Sequence, residues 1–271
     1  MSVLYVSDLD STLLRSDATL SDFTRDTLNK LTEKGLMFSY ATARSAVTAS
    51  AVTKGLSGDI PIIVYTGTFI VENGTHRILH SNFMTENEVQ AVKSAVEKFL
   101  LCPITYAYVD KKERFMYDPA VISESVRRFI RTREGDSRGK AVEGGFEGTL
   151  RGDIFYFTFM EQKEKLQPVY DFLKSKCNCL FQPDNYTDNW FLEVMPQKAT
   201  KADSALKLKE ILGADKLIAF GDGYNDIKLF EAADEAYAVG NAVEELRKIA
   251  TGVIGTCDED GVAHWLLENF R

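Results

Sequence analysis

Cysteine is scarce in this chain, and its placement excludes two classes of protein. The four cysteines stand at 102, 177, 179 and 257, and only Cys177-Asn178-Cys179 is close-set. A lone C-x-C without a second pair is a poor zinc site, and so few scattered thiols make no disulfide framework. They read as buried thiols in a reducing cytosol. No basic cluster offsets the net charge of −8, so a cationic face for nucleic acid is not expected. No apolar run approaches the ~20 residues of a membrane-spanning helix. The N-terminus has no basic region followed by a long apolar stretch, so no signal peptide is expected and the cytoplasm is the expected location. There is no low-complexity tract, and G-x-x-x-x-G-K-[ST] is missing, which removes the P-loop nucleotide binders. The three histidines, His76, His80 and His264, read as structural or solvated.

What is present is enough for one large domain or two ordinary ones: 271 residues, 45% hydrophobic and 27% charged. The first third alternates strand-like runs (VLYV 3–6, LMFSYAT 36–42, PIIVYTG 61–67) with helical ones (21–35, led by Ser21 and ended by Gly35, and 45–56). That rhythm is the mark of a parallel sheet with crossover helices. FIVENGTHRILH (69–80) breaks it, with Asn73-Gly74 signalling a hairpin. The middle differs. An amphipathic helix over 85–100 presents Val89, Val92, Val96 and Phe99 on one face. Aromatic-rich strands are expected at 104–110, 114–118, 153–161 and 179–194, with helices at 121–134 and 165–176. The glycine-rich stretch 135–148 reads as a loop or strand connection, and Phe155, Tyr156, Phe157 and Phe159 as sheet core. The last third returns to alternating helix and strand, including KLIAFGDG (216–223) and AYAVGNA (236–242). The expectation is an α/β, Rossmann-like parallel-sheet core over 1–82 and 191–271, with an α+β domain inserted over 83–190.

In open α/β sheets, ligands bind at the carboxyl ends of the strands. Asp8 and Asp10 follow the first strand, with Leu9 between them expected to turn inward. Thr42-Ala43-Arg44 follows the second, Thr66-Gly67-Thr68 the third, and Gly221-Asp222-Gly223-Tyr224-Asn225-Asp226 the strand KLIAF. So many acids on one edge cannot all stay ionised without a cation, and hard oxygen ligands favour Mg²⁺. A D-x-D pair alone is more often a solvated strand end, and GDG alone is a turn. Their convergence on one edge is what argues for a site. Asn185, Tyr186, Asp188 and Asn189 read as a polar turn before they read as specificity residues.

DLDSTLL, ATAR, a lysine before a helix, and GDGYND with the downstream GNA together resemble the haloacid dehalogenase-like (HAD) superfamily. The inserted domain after the third core strand resembles that of its Cof-type phosphatases with a type IIB cap, and the resemblance spans essentially the whole chain. It implies a Mg²⁺-dependent phosphatase acting on a small phosphorylated metabolite, a sugar phosphate or a phosphorylated cofactor, with the cap closing over the substrate. Asp8 would be the nucleophile and a metal ligand. Asp10 would be the acid and then the base, its main-chain carbonyl on the metal, with Asp8 the neighbour expected to raise its pKa. Asp222 and Asp226 would complete the metal set. Thr42 and the Ala43 N–H would hold the phosphoryl oxygens, and Asn225 would orient the site. Lys201, after Thr200, fits the family's lysine; Lys198 is the alternative.

The sequence departs from the family pattern at Ser11, Ala43 and Thr66, where glycine, glycine and asparagine are usual. Arg44 is read either as reaching an anionic substrate or as forming a structural salt bridge. Rival readings are a phosphomutase-like transferase, a signalling receiver and a non-catalytic phosphate-ligand binder. The D-x-D on strand one and the large insertion argue against a receiver, and retention of both Asp8 and Asp10 argues against a mere binder.

Overall fold

The computed structural model describes residues 1–57, 60–184 and 187–270. The chain divides into two compact units, Met1–Ser81 with Ala199–Arg271, and Asn82–Lys198. The first opens with β1 (Val3–Asp8), whose residues are buried from Leu4 onward. A strand covered on both faces needs a continuous apolar run rather than alternation, which is what VLYV supplies. Then follow α1 (Asp22–Thr32), β2 (Met37–Ala41), α2 (Ala46–Val52), β3 (Pro61–Val64), β4 (Phe69–Glu72) and β5 (Ile78–Ser81). Ser21 caps α1 by accepting the Thr24 N–H, and Ser45 caps α2 through the Thr48 N–H, satisfying donors that a helix start leaves open. The β4–β5 hairpin has a longer turn than Asn73-Gly74 suggested, and its left-handed residue is His76 at φ 55°. His76 Nε2 lies 2.9 Å from Ser50 Oγ, and His264 stacks on Phe23; both are structural.

The inserted unit contains α3 (Glu86–Phe99), β6 (Ile104–Val109), β7 (Lys112–Tyr117), α4 (Glu124–Arg131), β8 (Gly139–Ala141), α5 (Gly145–Thr149), β9 (Asp153–Glu161), α6 (Lys163–Leu173), β10 (Asn178–Pro183) and β11 (Trp190–Met195). Its sheet runs β10-β11-β9-β6-β7-β8, antiparallel apart from the β7–β8 pair. Phe157, Phe159, Leu192 and Val194 join Val92 of α3 and Leu166 and Val169 of α6 in one apolar cluster; Ile104, Phe115 and Met160 join Val126 of α4 in another.

Three expectations change here. The stretch 179–194 is a hairpin, not one strand, because β10 pairs with β11 around a polar turn. The glycine-rich stretch 135–148 carries β8 and α5. The chain leaves the inserted unit after Lys198 rather than at 190, because β11 pairs with β9 as well as β10. Of the polar turn, Asn185 and Tyr186 lie outside the described residues, Asp188 is exposed, and Asn189 Oδ1 accepts from Ser125 Oγ at 3.1 Å. All four cysteines are free thiols, and burial pushes Cys102 up to about 11 and Cys177 to about 12.

The first unit resumes with α7 (Lys201–Leu212), β12 (Lys216–Gly221), α8 (Ile227–Ala232), β13 (Glu235–Ala238), α9 (Glu244–Ile249), β14 (Gly252–Val253) and α10 (Gly261–Asn269). Its sheet has the order β14-β13-β12-β1-β2-β3-β4-β5, parallel from β14 to β3 and antiparallel from β3 to β5. β1 lies between β2 and β12, pairing Val3 with Lys216 and Asp8 with Ala41. Strand order reverses beside β1, so the carboxyl ends of β1, β2, β3 and β12 open at the place where such sheets bind ligands. No helix among the described residues is long and apolar enough to cross a membrane.

Candidate active site

Asp8 ends β1 and is 6% exposed. The chain then makes a tight turn over Leu9–Leu13, in which Leu9 is fully buried and Ser11 is left-handed at φ 59°. That conformation accounts for the glycine usual at this position, since only glycine adopts it without steric cost. The turn is held from outside: Asn241 Nδ2 donates to Ser11 O at 2.8 Å, and Asn241 Oδ1 accepts the Cys257 N–H at 2.9 Å. One residue on, the buried Thr12 hydroxyl donates to Asp222 Oδ1 at 2.9 Å.

Thr42 follows β2 and is buried, and its Oγ1 accepts the Arg44 N–H at 3.1 Å. Ala43 is not among the left-handed residues, so alanine is tolerated where glycine is usual. Arg44 grips Asp10: Nε lies 2.9 Å from Oδ2, and Nη2 lies 2.6 Å from Oδ1. The carboxylate of Asp10 is therefore engaged by Arg44 rather than by a neighbour on its own turn.

After β3, Tyr65 and Thr66 are left-handed at φ 50° and 56°, and Gly67 at φ 102°. A Cβ on Gly67 would stand 2.1 Å from Thr200 O, so only glycine lets the start of α7 come this close. Ser204 Oγ donates to Gly67 O at 2.7 Å, and the Thr200 hydroxyl caps α7 by accepting the Asp203 N–H. This seating delivers Lys201, the first residue of α7, into the interior. Its Nζ lies 2.5 Å from Asp8 Oδ1 and 2.7 Å from Asp226 Oδ1. Lys198 is exposed and lies in the other unit.

The turn after β12 completes the cluster. Asp226 is fully buried, and its Oδ2 accepts the N–H groups of Asp222 and Gly223 at 3.2 and 3.1 Å. Gly221 makes room for it, since a Cβ there would meet the Asp226 carboxylate at 2.8 Å. Asn225 is exposed beside Gly223, and no hydrogen bond joins its side chain to the other site residues.

Asp8, Asp222 and Asp226 place carboxylate oxygens within 4.8 Å of one another, against the single ammonium of Lys201. That imbalance explains the titration of the group. Burial pushes Asp8 well above the ordinary carboxylate range; the Lys201 ammonium opposes this, and the charges of Asp226 and Asp222 add to it. Burial also raises Asp222, with Asp226 reinforcing and the Thr12 hydroxyl opposing. Burial works against the Lys201 ammonium, yet Asp226 and Asp8 together outweigh it and raise its pKa. A buried anionic excess with hard oxygen donors fits a divalent cation such as Mg²⁺. Oxygens of all three acids already accept hydrogen bonds, from Lys201 and Thr12 on Asp8, from Thr12 on Asp222, and from Lys201 and two main-chain N–H groups on Asp226. Thr12 and Asn241 had not been singled out in the sequence. Both lie in motifs that carry the resemblance, Thr12 in DLDSTLL and Asn241 in GNA, but the contacts they make cross from one motif to another and are not written in either.

The site is an acid cluster at the carboxyl edge of a Rossmann-like α/β sheet. The chain belongs to the haloacid dehalogenase-like hydrolases, whose sequence profile matches residues 5–266, and it is a phosphatase of the Cof type. It is 24% identical to the 5-amino-6-(5-phospho-D-ribitylamino)uracil phosphatase YitU of Bacillus subtilis, across 98% of this chain and 97% of that one. YwtE of the same organism, carrying the same activity name, is also 24% identical, over 96% and 95%. A haloacid dehalogenase-like hydrolase from Bacteroides thetaiotaomicron is similar in structure, with TM-score 0.77, 25% identity and full coverage of both chains. A structure from Thermotoga maritima shares the fold with TM-score 0.76 at 21% identity, covering 100% of this chain and 98% of that one.

Proposed function

We propose that this chain is a Mg²⁺-dependent phosphomonoesterase that releases a small alcohol from its phosphate ester through an aspartyl-phosphate on Asp8. The observation that carries this reading is the buried Asp8 carboxylate, held at the sheet edge by Lys201 with two further carboxylates beside it. A carboxylate nucleophile divides one hard displacement into two easier ones. A bound Mg²⁺ on Asp8 and Asp222, with the Asp10 main-chain carbonyl and Asp226 in support, would neutralise charge between the anionic nucleophile and the anionic substrate.

The protein's own groups do the rest. An Asp8 oxygen attacks phosphorus in line with the departing alcohol while Thr42, the Ala43 N–H and Lys201 hold the equatorial oxygens. Asp10 gives its proton to the leaving alkoxide and then takes one from the water that attacks the phosphorylated Asp8. Inorganic phosphate leaves, and the Asp8 carboxylate is restored. The reading of the substrate as a sugar phosphate or phosphorylated cofactor is supported by the activity named for YitU and YwtE.

Purified protein assayed with p-nitrophenyl phosphate should turn over with Mg²⁺, stop on addition of EDTA, and lose at least about 10³-fold in Asp8→Asn. Metal-independent turnover, or an active Asp8→Asn variant, would refute the mechanism.

A further inference from the structure

The Arg44–Asp10 pair is made from two fixed backbones. Asp10 lies between the fully buried Leu9 and the left-handed Ser11, whose carbonyl is tied to Asn241. Arg44 is pinned through its own main chain: its N–H donates to the Thr42 hydroxyl, and its carbonyl accepts the Tyr65 N–H at 2.9 Å. Between them the guanidinium meets the carboxylate two-pronged, the geometry that fixes orientation best. The Asp10 side chain is 45% exposed and that of Arg44 29%. A pair so accessible to water contributes little to stability. What it does is remove the rotational freedom of an exposed carboxylate.

We infer that Arg44 is a positioning residue for the proton-transferring carboxylate of Asp10, and not a ligand of the substrate phosphate. The inference rests on the phosphatase mechanism proposed above. As the Asp8 oxygen bonds to phosphorus, the P–O bond to the alcohol breaks and its electron pair stays on the alcohol oxygen. For that step Asp10 first takes a proton from solvent, one oxygen leaving the Arg44 fork while the other stays held. This proton then goes to the alcohol oxygen, so the need for a well-aimed Asp10 grows with the basicity of the leaving group. An alkyl phosphate depends on it, whereas p-nitrophenolate leaves unassisted.

The test compares kcat/KM for 2-glycerol phosphate and p-nitrophenyl phosphate, a ratio that covers only steps through alcohol departure. Arg44→Met should lower the alkyl value by about 10²-fold and the aryl value by less than about 5-fold, since a mis-aimed acid forfeits most of its contribution. Arg44→Lys, with the charge but not the fork, should fall between, and Asp10→Asn should show the same bias toward the alkyl ester. Equal losses on both esters carried by KM would make Arg44 a phosphate ligand and overturn the inference. Equal losses with a fallen Tm would make the pair structural and overturn it as well. An Asp10→Asn variant without leaving-group bias would overturn it whether or not the Arg44 variants fold. A wild type that turns over neither ester, or an active Asp8→Asn, would instead reject the underlying mechanism.

Discussion

Two carboxylates with buried oxygens, one in each unit, sit in opposite surroundings. Asp226 is fully buried, accepts from the Lys201 ammonium on one oxygen, and accepts two main-chain N–H groups on the other. Glu193, on β11 of the inserted sheet, has an Oε2 that is buried without a hydrogen-bond partner. Burial pushes Glu193 up to about 7, with only a hydrogen bond to Tyr156 opposing. Desolvation acts on both; what differs is what the surrounding elements return. At the sheet edge, a helix start and a glycine turn supply a cation and dipoles. In the inserted unit, aromatic strands supply mostly apolar contact, so Glu193 keeps a proton into the neutral range.

Removing the cation is the most direct way to break this contrast. Lys201→Met leaves Asp8 and Asp226 buried and unpaired, and urea denaturation in metal-free buffer should show a loss of about 3–5 kcal/mol. A loss under about 1 kcal/mol would mean that these acids carry little charge. A metal ion offers a second way to supply cation. Mg²⁺ at about 100 times its Kd should stabilise the wild type by about 2.7 kcal/mol, read as a rise in Tm. Asp222→Asn should abolish that rise, and a persisting rise would place the ion elsewhere.

The smallest effect belongs to Glu193. Its folded pKa lies above its unfolded one, so the native state holds the extra proton between about pH 4.5 and 7. Stability contributed by that proton is present at low pH and is lost as pH climbs through this window. Glu193→Gln should therefore match the wild type near pH 4 and exceed it by about 2 kcal/mol at pH 6. A constant difference between the two proteins at all pH values would show that Glu193 ionises freely.

The parts of the site legible in the sequence are those encoded by neighbours along the chain. VLYV announces a doubly covered strand, D-x-D its acidic end, and GDGYND the glycines that admit Asp226. Thr200-Lys201 is legible through the family resemblance, in which the lysine follows a Ser or Thr just before a helix; the capping role of Thr200 is seen only in the structure. The partner of Arg44 was not, because which of two anions a guanidinium meets is decided by the turns of β1 and β2 together. The hairpin within 179–194 was hidden because its two strands are joined by a polar turn inside an aromatic-rich run. β8 and α5 escaped because a glycine-rich stretch carries little hydrophobic period. The left-handed state of Ser11 became visible only when the tight turn was seen to require it.

The contact of Gly67 with Thr200 has a consequence for how such a protein can change over time. It pins the two ends of an excursion as long as the whole inserted unit, from within the first unit. Closing a loop costs entropy that grows only with the logarithm of its length, about 0.6 kcal/mol per doubling. The inserted unit can therefore be lengthened, trimmed or exchanged at small cost while Gly67 still seats Lys201. The inserted unit and the acid cluster at the sheet edge are thereby free to evolve at separate rates within one chain.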